Sequence, residues 1–518
     1  MLCALGSRAS RELHAAACDG RRVRACAACS AGGRIGCPRA RWRGTLSGAG
    51  WRPSRPRAAP ARVFRNGKAR RGHNRQSAAQ RRAAPTDAFP FGKGWLSIDR
   101  FSPRANAVMI AVIDNTISSE TVMTRPLDGI RVLELGQLIA GPFAGRMLAE
   151  FGADVIKIEP PGVGDPLRKW RLLHDGTSVW WAAQSRNKTS VTLDLRTPEG
   201  QDVVRRLVAD TDVLIENFRP GTLEGWGLGW DALSAINPRL VMLRVSGFGQ
   251  TGPYRDRPGF GVIAEAMGGL RHLTGEPGRT PVRVGVSLGD SLSALHGVIG
   301  VLLALRHREQ QGGKGQVVDV ALYESVFNMM ESLLPEYSAF GAVRQPAGSS
   351  LPGIAPSNAY RCRDGRYALI AGNGDSIFRR LMELIGRPDL GRDPALAHND
   401  GRVAQVERID AAIGEWTARH DRDDVLAALN EARIPSGRIY DVADIAADPH
   451  YRARDMIVDA ALPDGTPVLV PGIVPKLDAT PGRIERPAPA LGAHTDAVLE
   501  SIGIDAATRD DWRARGVI

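Results

Sequence analysis

Residues 127–159, LDGIRVLELGQLIAGPFAGRMLAEFGADVIKIE, carry the pattern from which the fold is read. Residues 130–135 are a short apolar run with the texture of a buried strand. A loop containing Gly136, Gly141 and Pro142 follows, and residues 143–151 continue as a helix. Gly152 is placed to stop that helix, and residues 153–159 form the next strand. Strand, helix and strand in this order make a βαβ unit, which predicts a parallel sheet with helices on its faces. GQLIAG lacks the GxGxxG spacing of a dinucleotide fingerprint. Two readings of Gly141 and Pro142 stand: they shape a turn, or they leave exposed N–H groups at a helix start that hold an anion or polar ligand.

Working outward, the alternation continues. Strands are expected at 191–195, 212–216 and 240–245, with a helix from Pro198, where proline suits a first helical turn, and another at 231–236. SGFGQTGPYRDRPGF is then a long loop at a strand end, where open α/β sheets place their ligands. Residues 290–307 read as a helix with Leu292, Leu295, Val298, Ile299 and Leu302 on its apolar face. GQVVDVAL is a strand and residues 323–341 a further helix. The expected fold class is α/β: a large domain with a Rossmann-like parallel sheet (123–343), a linker (344–356), a smaller α+β domain (357–455), and a C-terminal segment (456–518) that returns to the large domain.

The formal charge of +12 is not evenly spread. Residues 1–100 hold 22 Lys and Arg against 4 Asp and Glu, and the remaining 418 residues hold 46 against 52. The patterned part is therefore mildly acidic, which argues against a nucleic-acid partner. Five of the six cysteines precede residue 40 and only Cys362 follows. The patterned part cannot form an internal disulfide, which fits a reducing, cytoplasmic compartment. Cys26 and Cys29 form a CxxC with no second half at zinc spacing, so no metal site is expected. No run of 18 apolar residues argues for a membrane span. Residues 1–122 show neither helical nor strand periodicity, and three readings are open. They are upstream sequence preceding a start at Met109 or Met123, a disordered Arg-rich tail, or a targeting peptide.

Asp290 is the leading candidate for chemistry. It follows the strand-like run PVRVGVSLG and opens an apolar helix. Either it caps the helix, worth about 0.5–2 kcal/mol over alanine, or it is a nucleophile, since a carboxylate is already deprotonated at neutral pH. His272, His296 and His307 are not at ligand spacing, and neither HExxH, GxSxG nor GxxxxGK[ST] occurs. AGNGD, residues 371–375, either forms a turn or offers N–H groups to a developing oxyanion.

Read together, LDGIRVLELGQLIAGPFAGRMLAEFGADVIKIEPPGVGDPLR, NKTSVTLDL, ENFRPG, SGFGQTGP, GDSLSALHGVIGVLLALRHR, GKGQVVDVALYES and LGAHT span residues 126–495. In these stretches the chain resembles the class III coenzyme A transferases, the group of formyl-CoA:oxalate and carnitine CoA-transferases, and their relatives the α-methylacyl-CoA racemases. The resemblance implies a CoA-binding large domain and a homodimer of interlocked, ring-like chains. It implies an enzyme with no permanently bound cofactor, whose substrates are an acyl-CoA thioester and a carboxylic acid. It places the nucleophile at Asp290, CoA contacts at Lys188, Asn217 and Phe218, and the thioester end near Ala140. It also matches Gly372 and Gly374 to a glycine-rich loop that covers the catalytic aspartate.

One departure concerns the CoA phosphates. Many relatives carry an arginine after ENFxPGxL, where this chain has Glu224–Gly225–Trp226, so phosphate contacts are expected from Arg168 or Arg219. Racemases carry a His-Asp pair after the GP loop, where this chain has Phe260 and Gly261. A phenyl ring carries no proton, which sets the racemase reading second; a CoA-binding module without turnover is the third. The acceptor is expected to be a small dicarboxylic acid, with succinyl-CoA as donor and Arg168, Arg271 or Arg283 available for the second carboxylate.

Overall fold

The computed structural model describes residues 125–462 and 464–518; the Arg-rich 1–122 segment and its three readings lie outside them. Six strands form one parallel sheet: β1 (Arg131–Glu134), β2 (Asp154–Glu159), β3 (Lys188–Thr192), β4 (Val213–Glu216), β5 (Val241–Ser246) and β6 (Val317–Ala321). Their order is β3-β2-β1-β4-β5-β6, all pairs parallel. This is the doubly wound dinucleotide-fold order, with its reversal between β1 and β4. The strands are apolar on both faces because both are covered: every residue of VLIE in β4 and VMLRVS in β5 is buried.

Successive side chains point to opposite faces, so the sheet feeds two cores. On one face Leu133, Ile156, Leu214 and Met242 pack with Leu207, Leu499, Trp512 and Ile518. Leu207 lies on α2 (Pro198–Val208), whose N-cap Thr197 accepts a hydrogen bond from the Gly200 N–H. Leu499 and Trp512 lie on the helices Thr495–Ser501 and Ala506–Ala514 near the chain end. On the other face Val132, Val155, Ile215 and Leu243 pack with Ala144 and Leu148 of α1 (Ala140–Glu150) and with helix Leu288–Gln310. Gly141 and Pro142 belong to the first turn of α1 rather than to the loop before it. Gly152 does end that region, at φ +115° and against Asp128, where a side chain would be both strained and crowded.

The helix Leu288–Gln310 buries Val298 as expected but otherwise turns inward a face different from the one the sequence suggested. Its core face is Ala294, Gly297, Val298, Val301, Ala304 and Leu305, whereas Leu295, Ile299, Leu302 and Leu303 are exposed. Small residues line the inner face because the helix lies tight on the sheet: a side chain at Gly297 would press on Leu243, and one at Gly300 on Val318. By length and hydropathy alone this helix would reach across a bilayer. The expected helix over 323–341 is two, Leu322–Phe327 and Leu333–Phe340, broken near Glu331 at φ +48°.

In the 357–455 region an antiparallel sheet of β7 (Ser357–Arg361), β8 (Tyr367–Ala371) and β9 (Ser436–Arg438) packs with helices Asp375–Leu384, Val406–Thr417 and Arg422–Glu431. Phe378, Leu381, Ile409, Ile413 and Leu429 fill its core. AGNGD is the link from β8 to the next helix, and the hairpin itself turns at 362–366.

The first three strands of the large sheet share a buried ionic cluster. Lys157 Nζ meets Glu134 Oε1 at 3.0 Å, Asp165 Oδ2 at 2.8 Å and the Gly136 carbonyl at 2.8 Å. Lys188 Nζ meets Glu134 Oε2 at 2.8 Å and the Pro142 carbonyl at 2.7 Å. Arg168 forks onto Glu159 at 2.7 and 2.8 Å, stacks over the Trp181 ring, and reaches the Pro489 carbonyl. Burial alone would loosen the Lys157 proton, but Asp165, Glu134 and Glu159 hold it more firmly than in a free lysine. Lys188 shares only Glu134 closely and feels Lys157 as a like charge, so burial dominates and brings it down to about 8. Lys157→Met would strip the buried Asp165 carboxylate of its cation and leave Glu134 with Lys188 alone. Urea unfolding is expected to register a loss of about 3–5 kcal/mol, and a change within ~1 kcal/mol would contradict a structural role for the cluster.

Candidate active site

The run 281–287 before the long helix is irregular rather than a strand. The helix, here α4 (Leu288–Gln310), has Ser287 at its N-cap with no side-chain cap, and Asp290 is its third residue. Asp290 caps nothing: apart from its own backbone N–H, the carboxylate has no hydrogen-bond or ion-pair partner among the described residues. The capping reading is therefore not realised, and a partly buried carboxylate is left unspent.

What faces it is α3 (Gly261–Met267), which begins at Phe260 of PGFG. A side chain at Gly261 would overlap Asp290 Oδ2, and one at Gly289 would press on the Gly261 carbonyl and on Glu265. The two helix starts thus cross glycine against glycine, and the space a side chain would take at 261 is where the Asp290 carboxylate lies. Four residues on, on the same face of α3, Glu265 is 1% exposed. It accepts the Gly289 N–H at 3.3 Å and pairs with Arg283 through Nε at 2.9 Å and Nη2 at 3.2 Å. Burial and the neighbouring Glu265 charge push Asp290 up to about 6, with Arg283 opposing. Glu265 escaped the sequence reading. The only available signal was its spacing from Gly261, and that gains meaning only once Gly261 is seen against Asp290.

Of the remaining candidates, Ala140, Asn217 and Phe218 gather at the reversal between β1 and β4, where α/β folds bind ligands outside the carboxyl ends of their strands. Asn217 accepts the Gln137 N–H at 2.7 Å and donates to the Gln137 carbonyl at 2.8 Å, clamping the loop that leads into Ala140 and α1. Gly136 and Gly141 touch backbone to backbone beside it, leaving no room for side chains. Phe218 packs edge-on to Trp226 with ring centroids 5.4 Å apart. Glu224, in the stretch that departs from the family pattern, is held by Arg244 at 2.6 Å, and Arg244 also grips Glu216 at 2.7 Å. Arg219 is exposed at the rim.

Two expected contacts lie elsewhere. Lys188 is 1% exposed, with its ammonium taken up by Glu134 and Pro142, so it braces the α1 start from beneath instead of facing solvent. Arg168 is 6% exposed and its guanidinium is shared between Glu159 and Pro489, which removes it as a phosphate or carboxylate ligand in this arrangement. Lys188 was expected against coenzyme A and Arg168 against a phosphate or second carboxylate, whereas both close charge pairs inside the fold.

Gly372 and Gly374 lie in a loop pinned by buried Arg402, which donates to the Asn373 carbonyl at 2.6 Å and to Asp375 at 2.8 Å. Among the described residues no hydrogen bond or ion pair joins this loop to the start of α4. His296 bonds the Leu292 carbonyl and Asn328, and it borders a cavity of about 680 Å³ of which Asp290 is not a wall. Among the described residues no three His, Cys, Asp or Glu converge on a point where a metal would sit.

Comparison with known proteins gives the family. The pattern of CoA-transferase family III matches residues 127–495. A succinyl-CoA–D-citramalate CoA-transferase of Chloroflexus aurantiacus is 50% identical over 379 residues, 73% of this chain and 94% of that protein. The beta subunit of a succinyl-CoA–L-malate CoA-transferase of the same organism is 45% identical, covering 77% of this chain and 99% of the relative. The crystal structure of a CaiB/BaiF family protein from Brucella suis superposes with a TM-score of 0.65 at 38% identity, over 73% of this chain and all of that one. The match runs through the β1–α1–β2 unit, the β1/β4 crevice and the crossing of α3 with α4, and on that breadth the chain belongs to CoA-transferase family III and is an enzyme that moves CoA from an acyl-CoA to a carboxylic acid.

Proposed function

We propose that the donor is succinyl-CoA, that the acceptor is a small dicarboxylic acid, and that Asp290 carries the transfer covalently. The observation that carries this reading is the Asp290 carboxylate itself, unpartnered on a rigid helix start, in a space kept open by Gly261. Unspent, partly buried carboxylates are costly, and they concentrate at functional sites. The named substrates of the D-citramalate and L-malate relatives support the choice of acids.

In this account an Asp290 oxygen attacks the thioester carbonyl and CoA leaves as thiolate, giving an aspartyl–acyl anhydride. The thiolate then attacks the aspartyl carbonyl. The donor acid departs with the bridging oxygen, leaving an aspartyl-CoA thioester. An acceptor carboxylate attacks the same carbonyl and expels the thiolate, which finishes by attacking the acceptor's carbonyl. The product thioester leaves, and Asp290 is restored with one oxygen from the acceptor. Each step exchanges one acyl bond for another, so the thioester energy is conserved.

CoA lies in the β1/β4 crevice against Ala140, Asn217 and Phe218, with Arg219 at the rim for phosphate and Lys188 supporting from below. The racemase alternative finds no support here: Phe260 is 67% exposed and Gly261 has no side chain to carry a proton. Water must be kept from the anhydride, a role given to the Gly372–Gly374 loop in a closed homodimer. The outward row Leu295, Ile299, Leu302 and Leu303 on α4, with Phe327, Leu334, Tyr337 and Phe340 nearby, is apolar surface of the kind a partner subunit covers. A reducing cytoplasm suits Cys362, which among the described residues is the one cysteine and is buried and free.

Asp290→Ala and Asp290→Asn are each expected to retain under about 1% of the wild-type transfer rate while still binding CoA by calorimetry. A variant keeping more than that, with the fold intact by circular dichroism, would remove Asp290 from the covalent role. The pH profile offers an independent reading. The nucleophile must be ionised, and its affinity for a proton is raised to about 6. The kcat/KM for succinyl-CoA should therefore fall as pH drops through about 6; a flat profile down to pH 4.5 would contradict the assignment.

A further inference from the structure

Arg283 is bound on one side and open on the other. A guanidinium offers two forks, one along Nε and an adjacent Nη and one across the two Nη groups. Glu265 occupies the first. Nη1 has no hydrogen-bond or ion-pair partner among the described residues, and the Arg283 side chain is 39% exposed against 1% for Glu265. The inner carboxylate is itself fixed, because the Gly289 N–H donates to it. The cation is therefore pinned from the protein interior, its side-chain freedom already restricted, with the second fork turned outward.

Its position relates it to the reaction. Glu265 lies one helical turn beyond Gly261, which lies against Asp290, and Gly289 immediately precedes Asp290. One buried carboxylate thus ties the guanidinium to both helix starts that frame the nucleophile. Without a cation the place would repel a dianion, since Asp290 and Glu265 are both acidic. Of the three arginines the sequence offered for a second carboxylate, Arg168 is closed into the Glu159 pair. Arg271, on the helix Leu270–Leu273, has no hydrogen bond or ion pair to this cluster among the described residues.

We propose that the outward fork of Arg283 binds the remote carboxylate of the dicarboxylic substrate, with Glu265 as the positioning residue that aims it. The inference rests on the Asp290 transfer reading above. Donor and acceptor acids pass through the same aspartyl carbonyl, so one cation serves the free carboxylate of the succinyl group and, in turn, that of the acceptor. A bidentate fork also selects for length, because the two carboxylates must reach Asp290 and Arg283 together.

The test compares L-malate and D-citramalate with analogues in which a methyl group replaces the distal carboxylate, using succinyl-CoA as donor. Wild-type enzyme is expected to favour the diacids. Arg283→Lys keeps the charge and the ion pair but loses the fork, and should lower the diacid-to-monoacid ratio of kcat/KM by about 10-fold. The double variant E265Q/R283Q, which removes both partners of the Arg283–Glu265 pair so that neither charge is left alone, should lower it by about 100-fold. Both losses should fall mainly on the diacid KM. If wild type favours diacids and neither variant shifts the ratio by more than about twofold, the assignment of Arg283 is overturned while the transferase reading stands. Equal use of both acid types by wild type also overturns it. Failure of wild type to transfer CoA to any of these acids would instead sink the substrate reading on which it rests. Should the double variant not fold, Arg283→Lys decides alone.

Discussion

Three cations and three carboxylates are shut together where β1, β2 and β3 lie side by side, and the architecture around the crevice depends on their staying paired. Lys157 ties Glu134 of β1 to Asp165 of the following turn, Lys188 ties Glu134 to the start of α1, and Arg168 ties Glu159 to the returning C-terminal segment. Asp165 also accepts the Leu138 N–H at 2.9 Å, so the crevice loop is held by the same cluster. A network of this kind specifies one arrangement more than it adds net stability, because its desolvation cost is large and any missing member is penalised heavily. Gly145 belongs to the same constraint, since a side chain there would overlap Glu134. The C-terminal segment is latched alongside: Gly492 donates to Ser190 at 3.0 Å and Thr192 to Thr495 at 2.9 Å.

The nucleophile's environment obeys a different rule. Where the ionic cluster satisfies every charge, the crossing of α3 and α4 leaves one charge unsatisfied. Gly261 and Gly289 let the helices approach, Glu265 raises the local negative potential, and Arg283 tempers it without contacting Asp290 in a hydrogen bond or ion pair. An unpaired carboxylate near a like charge gains from losing its own charge, which it does on forming an anhydride or thioester. The rigid framework makes that gain available at a defined point in space, as preorganisation requires.

Much of this was legible in the sequence, and the failures share a cause. The β1–α1–β2 pattern announced a parallel α/β sheet because buried strands and an interrupted helix leave local signatures in apolar spacing and glycine placement. Asp290 stood out because a glycine-led helix start is also local. Lys188 and Arg168 were read as ligand-facing because apolar spacing does not reveal which buried carboxylates, Glu134 on another strand and Glu159 at the end of β2, absorb them. The inward face of α4 was misread for a related reason. Large aliphatics were taken as core, but a helix pressed against a sheet needs Ala and Gly at its closest points, and Leu295, Ile299, Leu302 and Leu303 are turned outward while Val298 and Leu305 stay inside. Glu265 was invisible until Gly261 could be placed against Asp290.

The central claim is that both acids bond in turn to the Asp290 carbonyl, and an oxygen label reads this directly. In the mechanism the acceptor's attacking oxygen becomes the anhydride bridge and stays on the aspartate when the thiolate attacks the acceptor's carbonyl. Enzyme turned over with succinyl-CoA and acceptor acid labelled with oxygen-18 in its carboxylates should yield an Asp290-containing peptide heavier by one or two labelled oxygens, with no label in other acidic peptides. Turnover that leaves the Asp290 peptide unlabelled would contradict the account, because the acid would then have received CoA without passing through this carboxylate.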